Sequence, residues 1–267
     1  MPIAKSMQGI AGQTITSSQG NLRVVQGEVM QGTHVLSYGG GVNTSALMVL
    51  LVQKKMPFDV AVFADTVAEL PETYSYLKVA RDYLDKNGVE LKVVRSKTGS
   101  LYDTCKRRGV VPSKIWRWST RDYKITPIHA FYRSLGTQII EYLGIAYDEI
   151  ERMKPSREHY ITSKFPLVDF KMTREDCIKV IKEADLPIPV KSGCFFCPFQ
   201  DIPRWRELYV KHNDLFLKAM ELEESSKHFP KQRLNAHTLR GLMENQFPDG
   251  RQPRTLSDVP CGAYCMA

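Results

Sequence analysis

His34-Val35-Leu36-Ser37-Tyr38-Gly39-Gly40-Gly41-Val42-Asn43-Thr44-Ser45 is the stretch on which the fold turns. Residues 34–37 are a short apolar run of strand type, residues 44–53 an apolar run of helical length, and three glycines stand between them. Glycines at a strand-to-helix junction let the backbone turn sharply and aim its N–H groups at an anion, where the helix dipole helps. Ser37, Thr44 and Ser45 add hydroxyl donors to that turn. The same glycines also suit a plain tight turn. No Gly-Lys-Ser/Thr follows, so this is not a Walker A loop, and the G-x-G-x-x-G spacing of the dinucleotide fingerprint is absent.

Working outward, residues 58–65 read as a second strand and residues 71–87 as a helix with Pro71 in its first turn and Gly88 at its stop. A third strand spans 90–95. This β-α-β-α-β alternation predicts an α/β fold with a doubly wound, mostly parallel sheet whose site lies at the C-terminal ends of the strands. Upstream, residues 1–30 read as a polar lead-in with a short hairpin through 22–25. Downstream, 129–143 alternate like a helix, 146–150 are short and acidic, and 165–168 read as the end of a strand. Residues 173–184 form a helix capped by Thr173, with Asp176 three residues on, and residues 201–227 read as one long amphipathic helix started near Pro203. After Phe229 the chain is loop-like and basic. The expected divisions are the lead-in 1–30, the α/β domain 31–190 and a C-terminal helical lobe 191–267.

Composition bounds the function more loosely. The 267 residues are 43% hydrophobic and 25% charged, which excludes a disordered chain, a collagen-like repeat and a disulfide-dense miniprotein. No run approaches about 18 uninterrupted apolar residues, so no membrane helix is expected. The first 21 residues lack the apolar core of a secretory signal, and a cytoplasmic location is expected. Lys+Arg exceed Asp+Glu by 37 to 29, giving a net charge of +8, but the cations are scattered. Such scatter suits a solvated surface, nucleic acid and nucleotide phosphates equally.

Several side chains carry chemistry on their own reading. Asp65, ending the second strand, is placed to hold magnesium or water, to orient a nucleotide hydroxyl, or to cap a helix. Arg121 and Lys124 share a segment with Trp116 and Trp118, so cations and stacking surfaces coincide. That combination suits a nucleotide, RNA or an amphipathic surface helix.

At this point the sequence resembles a known family. The Ser37–Ser45 turn is similar to the Ser-x-Gly-Gly-x-x-Ser loop of the PP-loop ATP pyrophosphatases (adenine nucleotide alpha hydrolases), with one extra glycine and with Asn43 where many members carry Asp. Three segments resemble the phosphoadenosine phosphosulfate reductase branch. They are Val62-Phe63-Ala64-Asp65-Thr66 with Glu69, Pro71, Glu72 and Thr73; Arg117 to Ile128, with Ser119 in place of a cysteine; and Gly144-Ile145-Ala146-Tyr147-Asp148-Glu149. The resemblance implies a nucleotide held by Ser37, Gly39, Gly40, Gly41, Asn43, Thr44, Ser45, Asp65 and Thr66. It implies Lys124, Arg121 and Asp65 as catalytic residues, with Lys124 on the phosphates and Mg²⁺ as a cofactor.

Six cysteines complete the inventory. Cys194-Phe195-Phe196-Cys197 is a C-x₂-C turn, and Cys261 and Cys265 form a second pair. Four thiolates suit a [4Fe–4S] cluster or, as the alternative, a structural Zn²⁺; a lone dithiol and unrelated loop thiols are the plainer readings. Cys177 reads as a core residue. Cys105 precedes Lys106-Arg107-Arg108 and reads as a redox-active thiol with a lowered pKa or as a buried structural one. The reductases' C-terminal Glu-Cys-Gly-x-His motif is missing, since Cys261-Gly262 is followed by Ala263-Tyr264. The expectation is therefore an enzyme that binds ATP or a related adenylyl nucleotide, cleaves between the α and β phosphates and adenylates an acceptor for sulfur transfer. A sulfonucleotide reductase and a non-catalytic nucleotide or nucleic-acid binding module are the alternatives. Expected partners are the adenine nucleotide, a sulfur donor or reductant protein and a nucleic-acid substrate, with no membrane.

Overall fold

A computed structural model describes residues 31–231 and 233–247. The expected hairpin through 22–25, and Cys261 and Cys265, lie outside the described residues. Five strands form one sheet: β1 (Thr33–Ser37), β2 (Val60–Asp65), β3 (Glu90–Arg95), β4 (Ile139–Leu143) and β5 (Ile161–Lys164), in the order β3-β2-β1-β4-β5. All four pairings are parallel. The helices are α1 (Val42–Gln53), α2 (Pro71–Lys86), α3 (Leu101–Arg108), α4 (Trp118–Thr120), α5 (Thr126–Leu135), α6 (Pro166–Asp169), α7 (Arg174–Glu183), α8 (Ile202–Lys211), α9 (Asn213–Glu224) and α10 (Leu239–Glu244). A π-helical turn, Arg121–Ile125, joins α4 to α5.

Strand alternation decides what covers each face. Leu36, Ala61, Phe63, Ile140 and Tyr142 share a core with α1, α2 and α7. Their neighbours Val35, Val60, Val62, Ala64, Ile139 and Ile161 point the other way and pack with Ile128 and Tyr132 of α5. Both faces are buried, so β1 and β2 are continuous apolar runs rather than alternating ones. Helix α1 is buried from Val42 through Leu51 and carries no polar stripe, because the sheet and α7 enclose it. A third core joins Leu101, Cys105 and Tyr123 to Phe196, Trp205, Phe216 and Leu239, tying α3 and the π turn to α8, α9 and α10.

Four local expectations are corrected. Residues 129–143 are not one helix: Gly136, at φ +66, ends α5, and residues 139–143 become β4 beside β1. The strand expected at 165–168 lies earlier, at 161–164, and Pro166 opens α6 instead. The long helix 201–227 is two, broken at His212, whose backbone leaves the helical region. After Phe229 the chain is not all loop, since α10 forms there. The capping box of α7 is present as the sequence suggests, with Thr173 and Asp176 each bonding the other's backbone N–H. Among the described residues no helix is long and apolar enough to cross a membrane.

Candidate functional site

In this strand order the direction of winding reverses between β1 and β4, so a crevice opens at their C-terminal ends. The glycine turn sits there. Gly40 takes φ +72, a left-handed conformation that favours glycine, and Gly41 occupies the cap position of α1 without offering a capping side chain. Gly144, immediately after β4, is dictated by contact: a Cβ there would lie 2.9 Å from the backbone N and Cα of Thr44. The absence of a side chain at 144 lets β4 end directly against the first turn of α1.

Gly39, Gly41, Asn43 and Thr44 line a cavity together with Lys124, Arg152, Arg174, Lys191 and Ser192. Four cations thus surround the N-terminus of α1. Lys191 is 8% exposed and has no hydrogen-bond or ion-pair partner among the described residues. Buried lysines are rarely left unpaired, so a cavity lined this way suits an anion. Asn43 donates through Nδ2 to Glu149 Oε2 at 3.0 Å, and Arg152 holds the same oxygen at 2.7 Å. Burial raises the Glu149 pKa while Arg152 opposes it. Asn43 Oδ1 is buried with no donor among the described residues.

The other sequence candidates fall into distinct places. Ser45 lies buried behind the turn, its hydroxyl 3.0 Å from Tyr38 Oη. Ser37 opens on a neighbouring cavity beneath β4 and β5. Thr66 donates to Glu69 at 2.9 Å and lines a smaller cavity with Lys124, Cys194 and Cys197. Lys124, whose side chain is 25% exposed, faces all three cavities. Asp65 and Arg121 are not among the residues lining the glycine-turn cavity. Asp65 accepts from Val67 N–H, Tyr74 Oη and Arg95 Nε at 2.8–2.9 Å, so its oxygens lock the end of β2. Arg121 is 70% exposed and pairs with its neighbour Asp122.

Among the cysteines, Cys105 is buried in the third core, and burial pushes its thiol up to about 12 against the weaker pull of Arg108. The lowered pKa that its three following cations suggested is thereby corrected: burial outweighs their field. Cys177 is buried in α7 as expected. Cys194 and Cys197 face each other across a tight turn, and their mutual hydrogen bond, then burial, push the Cys194 thiol up. That turn is anchored to the loop after β2, with Phe195 N–H donating to Ala68 O at 2.9 Å and Glu69 bridging to Cys194. Among the described residues no group of three metal-ligating side chains is assembled.

A family model described as the phosphoadenosine phosphosulfate reductase domain matches residues 33–188. The chain belongs to the phosphoadenosine phosphosulfate reductase domain family. The matched span contains the whole sheet, the glycine turn and the cations Lys124, Arg152 and Arg174. It ends just before Lys191 and the cysteine turn. No curated protein matches the chain. Among solved structures it is similar to phosphoadenylyl-sulfate (PAPS) reductase from Candida auris in a phosphate complex, at 16% identity and TM-score 0.42, over 59% of this chain and 75% of that one. It is also similar to the U34-tRNA thiolase NcsA from Methanococcus maripaludis with its [4Fe-4S] cluster, at 14% identity and TM-score 0.48, over 73% of each chain.

Arg152, Arg174, Lys191 and Ser192 were not singled out in the sequence. Arg174 follows the cap of α7, and Lys191-Ser192-Gly193 leads into the cysteine turn, but neither carries a spacing that points to phosphate.

Proposed function

We propose that this member of the phosphoadenosine phosphosulfate reductase family is an enzyme that binds ATP or a related adenylyl nucleotide, cleaves it between the α and β phosphates and adenylates an acceptor for sulfur transfer. The observation that carries the reading is Lys191, buried beside the first turn of α1 with no partner among the described residues. Backbone N–H groups of the turn and Lys191 hold the β and γ phosphates, while Lys124 and Arg152 face the α phosphate. An acceptor oxygen attacks the α phosphorus, the bond to the β-phosphate oxygen breaks, and pyrophosphate leaves with the acceptor's proton passing to solvent. A sulfur nucleophile then displaces AMP. Rate comes from positioning and from cations fixed in advance around the developing charge.

Two groups would assist. Asn43 Oδ1, buried without a donor among the described residues, and the Thr44 hydroxyl fit a magnesium ion carried in on the phosphates, which would offset their charge. Cys194 and Cys197 are thiols of the right type for half of a four-cysteine centre shared with Cys261 and Cys265, either a [4Fe–4S] cluster or zinc.

A second reading, sulfonucleotide reduction, is favoured by one observation: Cys194 and Cys197 line the same small cavity as Lys124 and Thr66. There a thiolate would attack sulfate sulfur and release the phosphoadenosine phosphate. The other thiol would then displace sulfite, leaving a disulfide for a dithiol reductant protein. The protein incubated with ATP, and separately with the phosphosulfate nucleotide and a dithiol, tests both. Pyrophosphate from ATP supports the first reading and sulfite the second. Neither product refutes both and leaves a binding module.

A further inference from the structure

The cations and tryptophans between Cys105 and Trp118 have no part in the function proposed above, and they meet on one surface. Ile115 and Trp116 are 86% and 72% exposed, and no ring packs on Trp116 among the described residues. The turn that holds them out is ordered from within, since Ser113 Oγ accepts the N–H groups of Ile115 and Trp116 at 3.1 and 3.3 Å. Trp118 is used differently. The Arg108 guanidinium lies 5.4 Å from its ring centroid and Tyr123 meets its edge at 6.4 Å, which fastens the turn to the end of α3. A tryptophan side chain buries about 150–250 Å² when it packs, so an ordered turn that leaves one outside forgoes that gain.

Helix α3 ends in Lys106, Arg107 and Arg108 before Gly109. The helix dipole accounts for cations in a last turn. It does not account for those that other segments bring to the same place. Lys227 N–H donates to Gly109 O at 2.9 Å, and a Cβ at 109 would meet the Lys227 stem at 3.0 Å, so this lysine lies across the end of α3. From the turn itself, Lys114 Nζ stands 5.9 Å from the centre of the Phe199 ring. Local carboxylates answer part of this charge: Glu221 pairs with Lys106 at 3.0 Å and Asp122 with Arg121 at 2.7 Å. Arg108, Lys114 and Lys227 are exposed and pair with no carboxylate among the described residues.

Two apolar side chains ringed by cations are too small a patch for a protein interface, which buries about 800 Å² on each partner. Phosphates match the cations, and the flat face of a base matches the indole. A duplex keeps its bases stacked inside, out of reach of a ring on a turn, whereas a single strand can lay one down on it. We propose that the turn at 112–118 and the end of α3 form a docking surface for single-stranded nucleic acid, with a base stacked on Trp116 and backbone phosphates held by Arg108, Lys114 and Lys227. Ser119 and Thr120, next along the chain, line the small cavity that also holds Lys124, so the surface borders the candidate site. That the strand carries the acceptor group rests on the proposed function; the binding itself does not.

The test measures fluorescence anisotropy of labelled oligouridylate and oligothymidylate of about 12 nucleotides, with a duplex of equal length as the comparison, across a range of salt concentrations. Single strands should bind more tightly than the duplex, and the sugar that binds better distinguishes an RNA from a DNA strand. Trp116→Ala should weaken strand binding at least about fivefold, the lower end for one stacked base, without changing the salt dependence, and Trp116→Phe should recover most of the loss. Lys114→Ala combined with Lys227→Ala should lower the slope of log affinity against log salt by about 1.4, or about 0.7 for each phosphate contact to a single strand. All these positions are exposed, and unchanged melting temperatures would confirm that the variants fold. Several results would overturn the proposal: no strand binding, a duplex bound as tightly as the strand, full affinity in Trp116→Ala, or an unchanged salt slope in the double variant. Trp116-dependent binding to phosphatidylserine vesicles but to no strand would overturn it too, and assign the patch to a membrane surface. Affinity for α,β-methylene ATP, measured separately and expected to be equal in every variant, reports on the glycine turn and not on this surface.

Discussion

Gly144→Ala isolates the contact that seats the glycine turn. The added methyl would lie 2.6 Å from Thr44 Cγ2 and 2.9 Å from Thr44 N and Cα, where carbon atoms pack at about 3.5–4.0 Å. A flexible side-chain tip could yield, but Thr44 N and Cα belong to the first turn of α1. The end of β4 and that turn must therefore separate. Forced overpacking of this kind costs about 1–3 kcal/mol. For a chain of this size that corresponds to roughly 2–12 °C in melting temperature, at about 2–4 °C per kcal/mol. Because the displaced N–H groups are those the proposed function aims at phosphate, affinity for α,β-methylene ATP should fall about tenfold or more. Gly136→Ala is the control. Gly136 has φ +66 and nothing within 4 Å of a new Cβ, so it should cost about 1–2 kcal/mol from left-handed strain and leave nucleotide affinity unchanged. Differential scanning calorimetry and titration calorimetry on both variants decide the matter. A Gly144→Ala protein with native melting temperature and native affinity would show that close approach at Thr44 does not organise the loop.

Lys124→Ala should weaken ATP binding by about 1.5–3 kcal/mol, the scale of a hydrogen bond to a charged group, and leave adenosine binding unchanged; equal loss for both ligands would make Lys124 structural. Glu141 should make stability depend on pH. Its carboxyl sits at about 7 folded and near 4.5 unfolded, so the folded state keeps a proton that the unfolded chain releases, and stability falls as pH rises between those values by about 3 kcal/mol. The urea unfolding free energy of wild type minus that of Glu141→Gln should fall by that amount from pH 4 to pH 8, and a difference flat with pH contradicts the assignment. Purified without oxygen or chelator, the full chain should hold either about four irons with sulfide or one zinc, and Cys194→Ser should lose them; wild type with neither metal refutes the four-cysteine centre.

The first half of the fold is legible because its signals are local. Glycines at 39–41, Pro71 at a helix start and Gly88 at its end each mark a boundary within a few residues. β4 was hidden for a physical reason: Ile139-Ile140-Glu141-Tyr142-Leu143 continues the apolar spacing of α5, and only Gly136 marks the change. His212 gives no local warning that the helix breaks there. The site divides in the same way. The turn is written in nine consecutive residues, whereas Arg152, Arg174 and Lys191 come from three separate segments and converge only once the sheet is wound. Asp65 shows the converse. Its position at a strand end suggests an available carboxylate, but Tyr74 and Arg95, nine and thirty residues away, occupy it.

Which bond of ATP breaks distinguishes α-phosphorus chemistry from any other use of the nucleotide. Phosphorus NMR of the protein incubated with ATP, magnesium and a sulfur donor reports it without assuming the acceptor. AMP or an adenylated species should appear together with pyrophosphate, and both should be lost in Lys191→Ala. Appearance of ADP and orthophosphate in their place, or pyrophosphate release that Lys191→Ala leaves intact, would contradict the proposed function.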